Sequence, residues 1–497
     1  MICVAIPGPT YEDAQVQISD AIRHADLVEL RLDLFHKIDT RSLKKILKPF
    51  SIPFIFTFKR QNLEGTESND QAQFLDQIRL LADLQPAYLD LDWSNKISPK
   101  FIFEIAQNYP RIQLILSYHH YMEIPKDLNR IYEEMSFYPV HYYKFSIKVH
   151  ASLEALNLLN WAKNRDKKIL LVCMGEHGQI SRILNPILGH HFTYASLNSK
   201  LKTAEGQLSA RILSNLYSYK KLNVHTKMFG LIGDPVDQSL SHVTHNHYFQ
   251  TIGLNAVYVK MVVRINELFE FLELAKNLNF QGFSVTMPLK EAVMPYLDWI
   301  DPQAKEMGAC NTIVIREGKL LGYNTDSIGA LNAIEHAEKV MEKRIVILGA
   351  GGAARAIAYE AERRGAKVTL LNRNSEKARL IAQQIGCRWG EIESMDVCCR
   401  EGYEILINCT PLFMPIESAY ILSDSIVMDI NTRAIDTSFL KAAKEKNCRI
   451  VYGYEMFIEQ AIGQFNYWLG SETDEHECYQ IIEKALHNSL NLQSHQI

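Results

Sequence analysis

The chain reads as α/β throughout: an N-terminal (β/α)8 barrel, then a second α/β lobe, then a Rossmann-type dinucleotide-binding lobe. Three observations carry that reading. Short apolar runs alternate with amphipathic stretches about eight times in residues 1–222, the pattern of a closed (β/α)8 barrel. A fresh alternating pattern starts at Met228-Phe-Gly-Leu-Ile-Gly233, after the polar stretch Ser218–Thr226. Finally, Ile345-Val-Ile-Leu-Gly-Ala-Gly-Gly-Ala-Ala-Arg355 is a β-branched run, a glycine turn and a helix start in immediate succession, the first unit of a dinucleotide-binding fold.

The barrel strands are expected at Ile2–Ile6, Leu27–Leu32, Pro53–Phe58, Ala87–Leu91, Ile112–Ser117, Tyr142–Ser146 and Lys168–Cys173, with an eighth near His191–Leu197. Helical stretches such as Asp70–Leu84 and Ser152–Asn164 lie between them. The pattern beginning at Met228 continues to about Gly329 and predicts a small parallel sheet of its own. The dinucleotide unit starts near Arg344, and two amphipathic helices, Tyr454–Leu469 and Glu477–Leu490, close the chain and are expected to pack back across both lobes. The expected domains are therefore 1–222, 223–328, 329–470 and 471–497, since 497 residues exceed what one core supports.

Composition narrows the class. Hydrophobic content of 47%, charged content of 22% and a net charge of −4 fit an ordinary soluble globular protein and leave no footprint for nucleic acid or an anionic membrane surface. Nine cysteines without a Cys-x-x-Cys pair point to reduced thiols and no metal site. No apolar run is long enough to span a bilayer, and the chain opens directly on a strand-like segment, so a cytoplasmic location is expected. Oligomeric state is not legible.

The glycine turn has a physical use. Gly349, Ala350, Gly351 and Gly352 let backbone approach a pyrophosphate, and the helix opening at Ala353 presents free N–H groups and a partial positive charge to it. The following strand ends in Asn372-Arg373, where an NAD site would carry an acidic residue for the ribose 2′-hydroxyl. A guanidinium there favours a 2′-phosphate, so the cofactor reads as NADP.

In the barrel, polar groups cluster at strand C-termini: Glu29, Arg31, Lys59, Arg60, His119 and Lys144. Lys144 lies in the aromatic strand Tyr142-Tyr-Lys-Phe-Ser146, where desolvation would lower its pKa and make it nucleophilic. The alternative is a snorkelling lysine, and the rival amine is Lys148, expected beyond the strand. A histidine at a neighbouring strand end makes a Schiff-base site with a proton shuttle. In the second part, Ser239 and Ser241 follow the first strand and can bind a carboxylate or cap a helix. Lys290 opens a helix, and Asp326 sits where the chain passes toward the dinucleotide unit; the two are a surface salt bridge or, beside a nicotinamide, a proton relay.

The motifs Val28-Glu-Leu-Arg-Leu-Asp33, Phe56-Thr-Phe with Glu64-Gly65, Ser117-Tyr-His119, Lys144 and Met174-Gly…Ser181-Arg182 resemble type I 3-dehydroquinate dehydratase over nearly all of residues 1–215. The resemblance implies that Lys144 forms an imine with 3-dehydroquinate and that His119 moves the protons. It also implies substrate contacts at Glu29, Arg31, Arg60, Arg182, Thr203 and Gln207, with Glu64 as the acid accompanying the histidine. The chain departs from the family pattern at Lys59-Arg60, where spacing to Glu64 favours Arg60 without excluding Lys59. It departs again at Thr203-Ala-Glu-Gly-Gln207, where the family often has Pro in place of Glu205.

Residues 228–490 are similar to shikimate dehydrogenase through Ser239-x-Ser241, Val285-Thr-x-Pro-x-Lys290, Asn311-Thr312, Asn324-Thr-Asp326, the glycine turn, Asn372-Arg373, Asn408-Cys-Thr410 and Gly453…Met456…Gln460. The similarity implies a substrate-binding lobe with Ser239, Ser241, Thr286, Asn311 and Gln460 around shikimate, and Lys290 with Asp326 as the catalytic pair. Thr410, Gly453 and Met456 would line the cofactor, Met456 near the nicotinamide. Ser284, Thr432, Gln238 and His242 depart from that pattern. The expected function is bifunctional: dehydration to 3-dehydroshikimate, then NADPH-dependent reduction to shikimate. Quinate/shikimate oxidation with NAD, or one half as a non-catalytic metabolite-binding module, are the alternatives.

Overall fold

Eight parallel strands build the first sheet of the computed structural model, which describes residues 1–59, 69–95, 97–165, 168–432, 434–470 and 473–494. They are β1 (Ile2–Ile6), β2 (Leu27–Arg31), β3 (Phe54–Thr57), β4 (Tyr88–Asp92), β5 (Gln113–His120), β6 (Tyr142–Lys148), β7 (Ile169–Met174) and β8 (Thr193–Ser196). The ladder runs β7-β6-β5-β4-β3-β2-β1-β8, and β7 approaches β8 so that the ring is nearly closed. Each expected strand is present within a few residues. The strands are buried on both faces because helices cover the outside and packed side chains fill the inside, so they read as nearly continuous apolar runs. Local signals set the helix starts: Thr10 accepts from the Asp13 N–H, and Ser98 caps a helix with Pro99 at its first position.

One end of the barrel interior is sealed. Cys3, Leu27, Ile55, Tyr88, Ile115, Tyr142, Leu170 and Phe192 pack into one apolar cluster. Side chains alternate along a strand, so the next inward residue lies two positions on. From that apolar layer, two steps along β2, β3, β4, β5 and β6 reach Glu29, Thr57, Asp90, Ser117 and Lys144. Two further steps reach Arg31, Lys59, Asp92, His119 and Ser146. The interior therefore changes from apolar to charged within one pleat, toward the strand C-termini.

The second sheet contains β9 (Lys227–Gly233), β10 (Ala256–Val262), β11 (Phe280–Val285), β12 (Trp299–Ile300), β13 (Thr312–Arg316) and β14 (Lys319–Tyr323), in the order β10-β9-β11-β13-β14-β12. It is mixed, which corrects the expectation of a parallel sheet: β13 runs antiparallel to both β11 and β14. For β13 and β14 the cause is a two-residue hairpin turn, Glu317-Gly318, with φ of 54° and 74°. Two consecutive positive φ values give the turn whose twist matches paired antiparallel strands.

The third sheet is all parallel: β15 (Arg344–Leu348), β16 (Lys367–Leu371), β17 (Arg388–Gly390), β18 (Ile405–Asn408), β19 (Ile426–Asp429) and β20 (Arg449–Tyr452), in the order β17-β16-β15-β18-β19-β20. Strand order reverses between β15 and β18, the crevice where doubly wound sheets bind dinucleotides. The closing helices are Gly453–Leu469 and Glu475–Ser494. The first donates from Trp468 Nε1 to Ile313 O of the second sheet and places Met456 in the core of the third. The second packs on the helix Ser241–Thr251. By backbone packing the chain divides into 1–229 with 252–280, and 230–251 with 281–497. Among the described residues no helix is long and apolar enough to cross a membrane.

Candidate active sites

The barrel's C-terminal end holds a cavity of about 180 Å³ lined by Glu29, Arg31, Lys59, His119, Lys144, Arg182, Thr203 and Gln207. Lys144 is buried in its wall, 5% exposed. The ammonium lies 2.8 Å from Asp90 Oδ2, 3.5 Å from Glu29 Oε1 and 4.2 Å from the centroid of the Tyr194 ring. Burial alone would lower its pKa, but the Asp90 and Glu29 carboxylates overcome burial and hold it above the ordinary lysine value. This corrects the expectation that desolvation leaves Lys144 as a free amine: the resting group is an ammonium with its counter-ions in place. Glu29 also accepts from Thr57 Oγ1 at 2.8 Å; against the cost of burial, Lys144 and Arg31 keep it ionised.

Each ring nitrogen of His119 faces a charged side chain. Nδ1 lies 3.1 Å from Asp92 Oδ2, and Nε2 lies 2.8 Å from Lys59 Nζ. Burial and the Lys59 charge lower its pKa, while Asp92 opposes them, so the ring is neutral near pH 7. Burial works against Asp92, yet contact with His119 and the Lys59 charge bring its carboxyl down to about 2. Burial, with Lys144 and Arg31 nearby, lowers Lys59 to about 8.

Arg182 has no exposed surface. Its Nη1 donates to Tyr194 O at 2.9 Å, while Nε and Nη2 have no partner. A buried guanidinium with two unused donors on a cavity wall is a ready anion receptor. Arg31 is instead committed to Asp33 through two bonds of 3.0 and 2.7 Å. Above the cavity, the Thr203 N–H donates to Gln207 Oε1 at 2.9 Å. Lys148 is the last residue of β6 rather than lying past the strand, and it pairs with Glu205. Arg60 and Glu64 lie outside the described residues.

A second cavity of about 200 Å³ lies between the second and third sheets and gathers Ser239, Ser241, Thr286, Lys290, Asn311, Asp326, Met456 and Gln460. Lys290 Nζ is 2.5 Å from Asp326 Oδ2. Asn311 Nδ2 donates to Asp326 Oδ1 at 2.8 Å and to Thr325 Oγ1 at 3.0 Å, fixing the carboxylate's plane. Ser239 Oγ and Ser241 Oγ are 3.0 Å apart at the start of the helix Ser241–Thr251. The helix that starts at Asp326 crosses Gly453–Leu469 closely: a Cβ on Gly329 would fall 2.7 Å from Gln460 N. That close approach brings Asp326 and Gln460 to one cavity.

The glycine turn follows β15 as expected. Gly349 adopts φ +115°, where an L side chain is strained, and Gly351 caps Gly352–Arg363 with no side-chain hydrogen bond. Space is open where side chains on Gly351 and Gly352 would stand. Free helix N–H groups beside open space suit a pyrophosphate. Arg373 is exposed just beyond β16, next to Asn372, whose Nδ2 bonds Asn374 O at 2.9 Å. Thr410 Oγ1 donates to Asn408 Oδ1 at 2.8 Å at the end of β18, across the same crevice. Gly453 lies where a Cβ would meet Asn431 O at 2.5 Å. The residues present fit the cofactor.

Family models match the chain in three segments: type I 3-dehydroquinase over residues 2–224, the shikimate dehydrogenase substrate binding domain over 231–313, and shikimate/quinate 5-dehydrogenase over 332–434. The shikimate biosynthesis protein AroDE of Chlamydia pneumoniae is 36% identical over 480 residues, 96% of this chain and 97% of its own length. The chloroplastic bifunctional 3-dehydroquinate dehydratase/shikimate dehydrogenase of Arabidopsis thaliana is 31% identical over 512 residues, 97% of this chain and 84% of its own. The chain belongs to the bifunctional 3-dehydroquinate dehydratase/shikimate dehydrogenase family. A crystal structure of a shikimate dehydrogenase in complex with NADP+ superposes with a TM-score of 0.51 at 37% identity, covering 54% of this chain and 97% of that one.

In this family member, sequence reasoning missed three site residues. Asp90 was read only as part of a strand ending at Leu91 and Asp92 was not singled out, yet the first is the Lys144 counter-ion and the second the carboxylate facing His119. The signal was the alternation Leu89-Asp-Leu-Asp92 in a barrel strand, where two acids on one face must point inward or outward together. The third is Gln464, one turn beyond Gln460. It accepts from Ser284 Oγ at 2.8 Å and donates to Thr312 Oγ1 at 3.1 Å. The Ser284 departure is thus absorbed by a side chain from the closing helix.

The segment over the barrel cavity approaches β7 through a close backbone contact. Gly206 has φ +71°, and a Cβ there would fall 1.9 Å from Gly175 O, beside the hydrogen bond from Gly175 N to Glu205 O of 3.2 Å. Gly206→Ala is expected to lift 203–207 from the cavity at a cost of about 1–3 kcal/mol. Faster amide hydrogen exchange at Gly175, with β4–β6 amides unchanged, is the expected measurement; unchanged exchange at Gly175 would show that the contact does not hold the segment.

Proposed function

We propose that the barrel cavity dehydrates 3-dehydroquinate to 3-dehydroshikimate through an imine on Lys144, and that the second cavity reduces that product to shikimate with NADPH. The carrying observation is the coexistence, in one cavity, of an ion-paired buried lysine, a neutral buried histidine and a guanidinium with two unused donors.

Arg182 receives the substrate carboxylate. Lys144 must shed a proton to attack the ketone, and Asp90 Oδ2 at 2.8 Å is the nearest acceptor. The amine adds to the ketone carbon and water leaves, giving an iminium whose charge Asp90 and Glu29 already balance. That iminium is a stronger electron sink than the ketone. His119 takes the proton from C2, and the same proton leaves with the C1 hydroxyl as water. Hydrolysis of the imine returns Lys144.

In the second cavity, Ser239 and Ser241 orient the carboxylate, and Asn311 and Gln460 bind ring hydroxyls. NADPH supplies the hydride. Lys290 donates a proton to the reacting oxygen, and Asp326 holds that ammonium in place. Arg373 pairs with the 2′-phosphate of the cofactor, Gly349 to Ala353 cradle its pyrophosphate, and Thr410, Gly453 and Met456 line its nicotinamide end. We assign these roles to segments 1–222, 223–328 and 329–470, with 471–497 packing back on the substrate lobe. The extents of the three sheets and the seat of Glu475–Ser494 on Ser241–Thr251 support that division.

Supplied with 3-dehydroquinate and NADPH, the protein is expected to form shikimate; its failure to do so overturns the reading. Lys144→Ala is expected to make shikimate from 3-dehydroshikimate only, and Lys290→Ala or Asp326→Ala to accumulate 3-dehydroshikimate. His119→Ala is expected to slow dehydration by roughly 10²–10⁴-fold. Borohydride with 3-dehydroquinate is expected to trap Lys144, and an adduct on Lys148 instead would move the nucleophile.

Cofactor choice has its own test. Arg373→Ala is expected to raise the KM for NADPH while leaving NADH use nearly unchanged. Equal losses with both cofactors would make the residue structural.

A further inference from the structure

Among the described residues, Lys59 is the one amine within hydrogen-bond distance of His119, and the proposed dehydration does not use it. Asp92 is ionised, and its charge 3.1 Å from His119 Nδ1 favours the ring proton on that nitrogen. A neutral imidazole then has its lone pair on Nε2, 2.8 Å from Lys59 Nζ, so Lys59 is the donor. The nitrogen left bare is the one that faces the cavity side chain rather than the carboxylate. On the proposed reading it is also the nitrogen that takes the C2 proton.

We propose that Lys59 is a positioning residue of the dehydratase, donating to Nε2 so that His119 stands as the Nδ1–H tautomer in its base form. The inference rests on the proposed role of His119 as the proton-transfer group. It gives the His119 ring a cation at one nitrogen and an anion at the other. The carboxylate by itself would favour an imidazolium, which cannot take a proton; the Lys59 ammonium offsets it. Arriving substrate then displaces Lys59 from Nε2 and exposes a lone pair that is already oriented.

Several charges share this neighbourhood. Among the described residues, the titratable and charged groups around Lys59 and His119 are Glu29 and Arg31 on β2, Asp90 and Asp92 on β4, Tyr121 just past β5 and Lys144 on β6. The Tyr121 ring lies nearly parallel to His119 at 6.1 Å and carries no charge near neutral pH. Lys144 and Arg31 act on Lys59 in the same sense as burial, bringing it to about 8, so it remains mostly an ammonium at pH 7 and below. That is the range in which His119 would otherwise protonate.

The sign follows. Removing the Lys59 charge stabilises imidazolium, raises the His119 pKa and moves the acid limb of dehydratase kcat/KM to higher pH. Lys59→Met is expected to shift that limb up by about one pH unit, the usual scale for a close charge. It is expected to keep borohydride trapping on Lys144 and unaltered shikimate dehydrogenase activity, both of which report a folded protein. Lys59→Arg is expected to restore the wild-type limb. Histidine-selective ¹⁵N NMR of the ligand-free protein is expected to show a neutral, Nδ1-protonated His119 in the wild type and an upward-shifted titration in Lys59→Met. An unchanged His119 titration in Lys59→Met overturns the inference, as does a Lys59→Met variant that loses kcat at every pH with an unmoved limb. If the titration moves but His119→Ala leaves dehydration intact, the proposed role of His119 fails while the Lys59 contact stands.

Discussion

An ammonium enclosed by a barrel must be neutralised where it sits, and Lys144 imposes that demand on the strands around it. Asp90 at 2.8 Å and Glu29 at 3.5 Å meet it from two other strands. Removing either would leave a buried charge under-compensated, which is costly in a low-dielectric interior. Strand alternation ties the demand to the whole sheet. A one-residue slip of β4 would turn Asp90 and Asp92 outward and bring Leu89 and Leu91 inward, deleting the counter-ion of Lys144 and the partner of His119 together. Ladder register and catalytic electrostatics are therefore one constraint. The apolar layer formed by Leu27, Ile55, Tyr88 and Ile115 completes it by closing the barrel beneath the charges.

The second cavity meets a milder form of the same demand. The Lys290 side chain is 27% exposed and Asp326 13%, so water shares the charge. Position there is set by packing rather than by enclosure. The helix from Asp326 can approach Gly453–Leu469 only because Gly329 and Gly463 lack side chains, Gly329 against Gln460 and Gly463 against Thr325. Asn311 then holds both Thr325 and Asp326. Small residues at a helix crossing do in this unit what ion pairing does in the barrel.

Much of this was legible in the chain because the signals were local. Eight apolar runs, the glycine turn and Asn372-Arg373 each declare themselves within a dozen residues. What was not legible depended on contacts between distant segments. The contact between Lys59 and His119 was one of these, because it joins residues 60 positions apart. The pKa of Lys144 runs opposite to expectation because burial was visible in its aromatic neighbours while Asp90 is 54 residues away. The antiparallel β13–β14 pair was missed because the stretch from Met228 to Gly329 was taken as one parallel β/α pattern, while two positive φ values at Glu317-Gly318 make a hairpin.

On the proposed reading, both sites bind a carboxylate that neither reaction changes. Arg182 in one site, and Ser239 with Ser241 in the other, contribute equally before and after chemistry. Such uniform binding holds the molecule but does not lower the barrier. The differential must come from groups that meet a charge only as it forms. In the barrel these are Asp90 and Glu29 beneath the iminium and His119 at the transferred proton. In the cleft, Lys290 meets the developing alkoxide. Each site thus separates a carboxylate anchor from a charge-sensing group. The separation lets 3-dehydroshikimate serve one site as product and the other as substrate: its constant part is recognised by both, and its changing part by different chemistry in each.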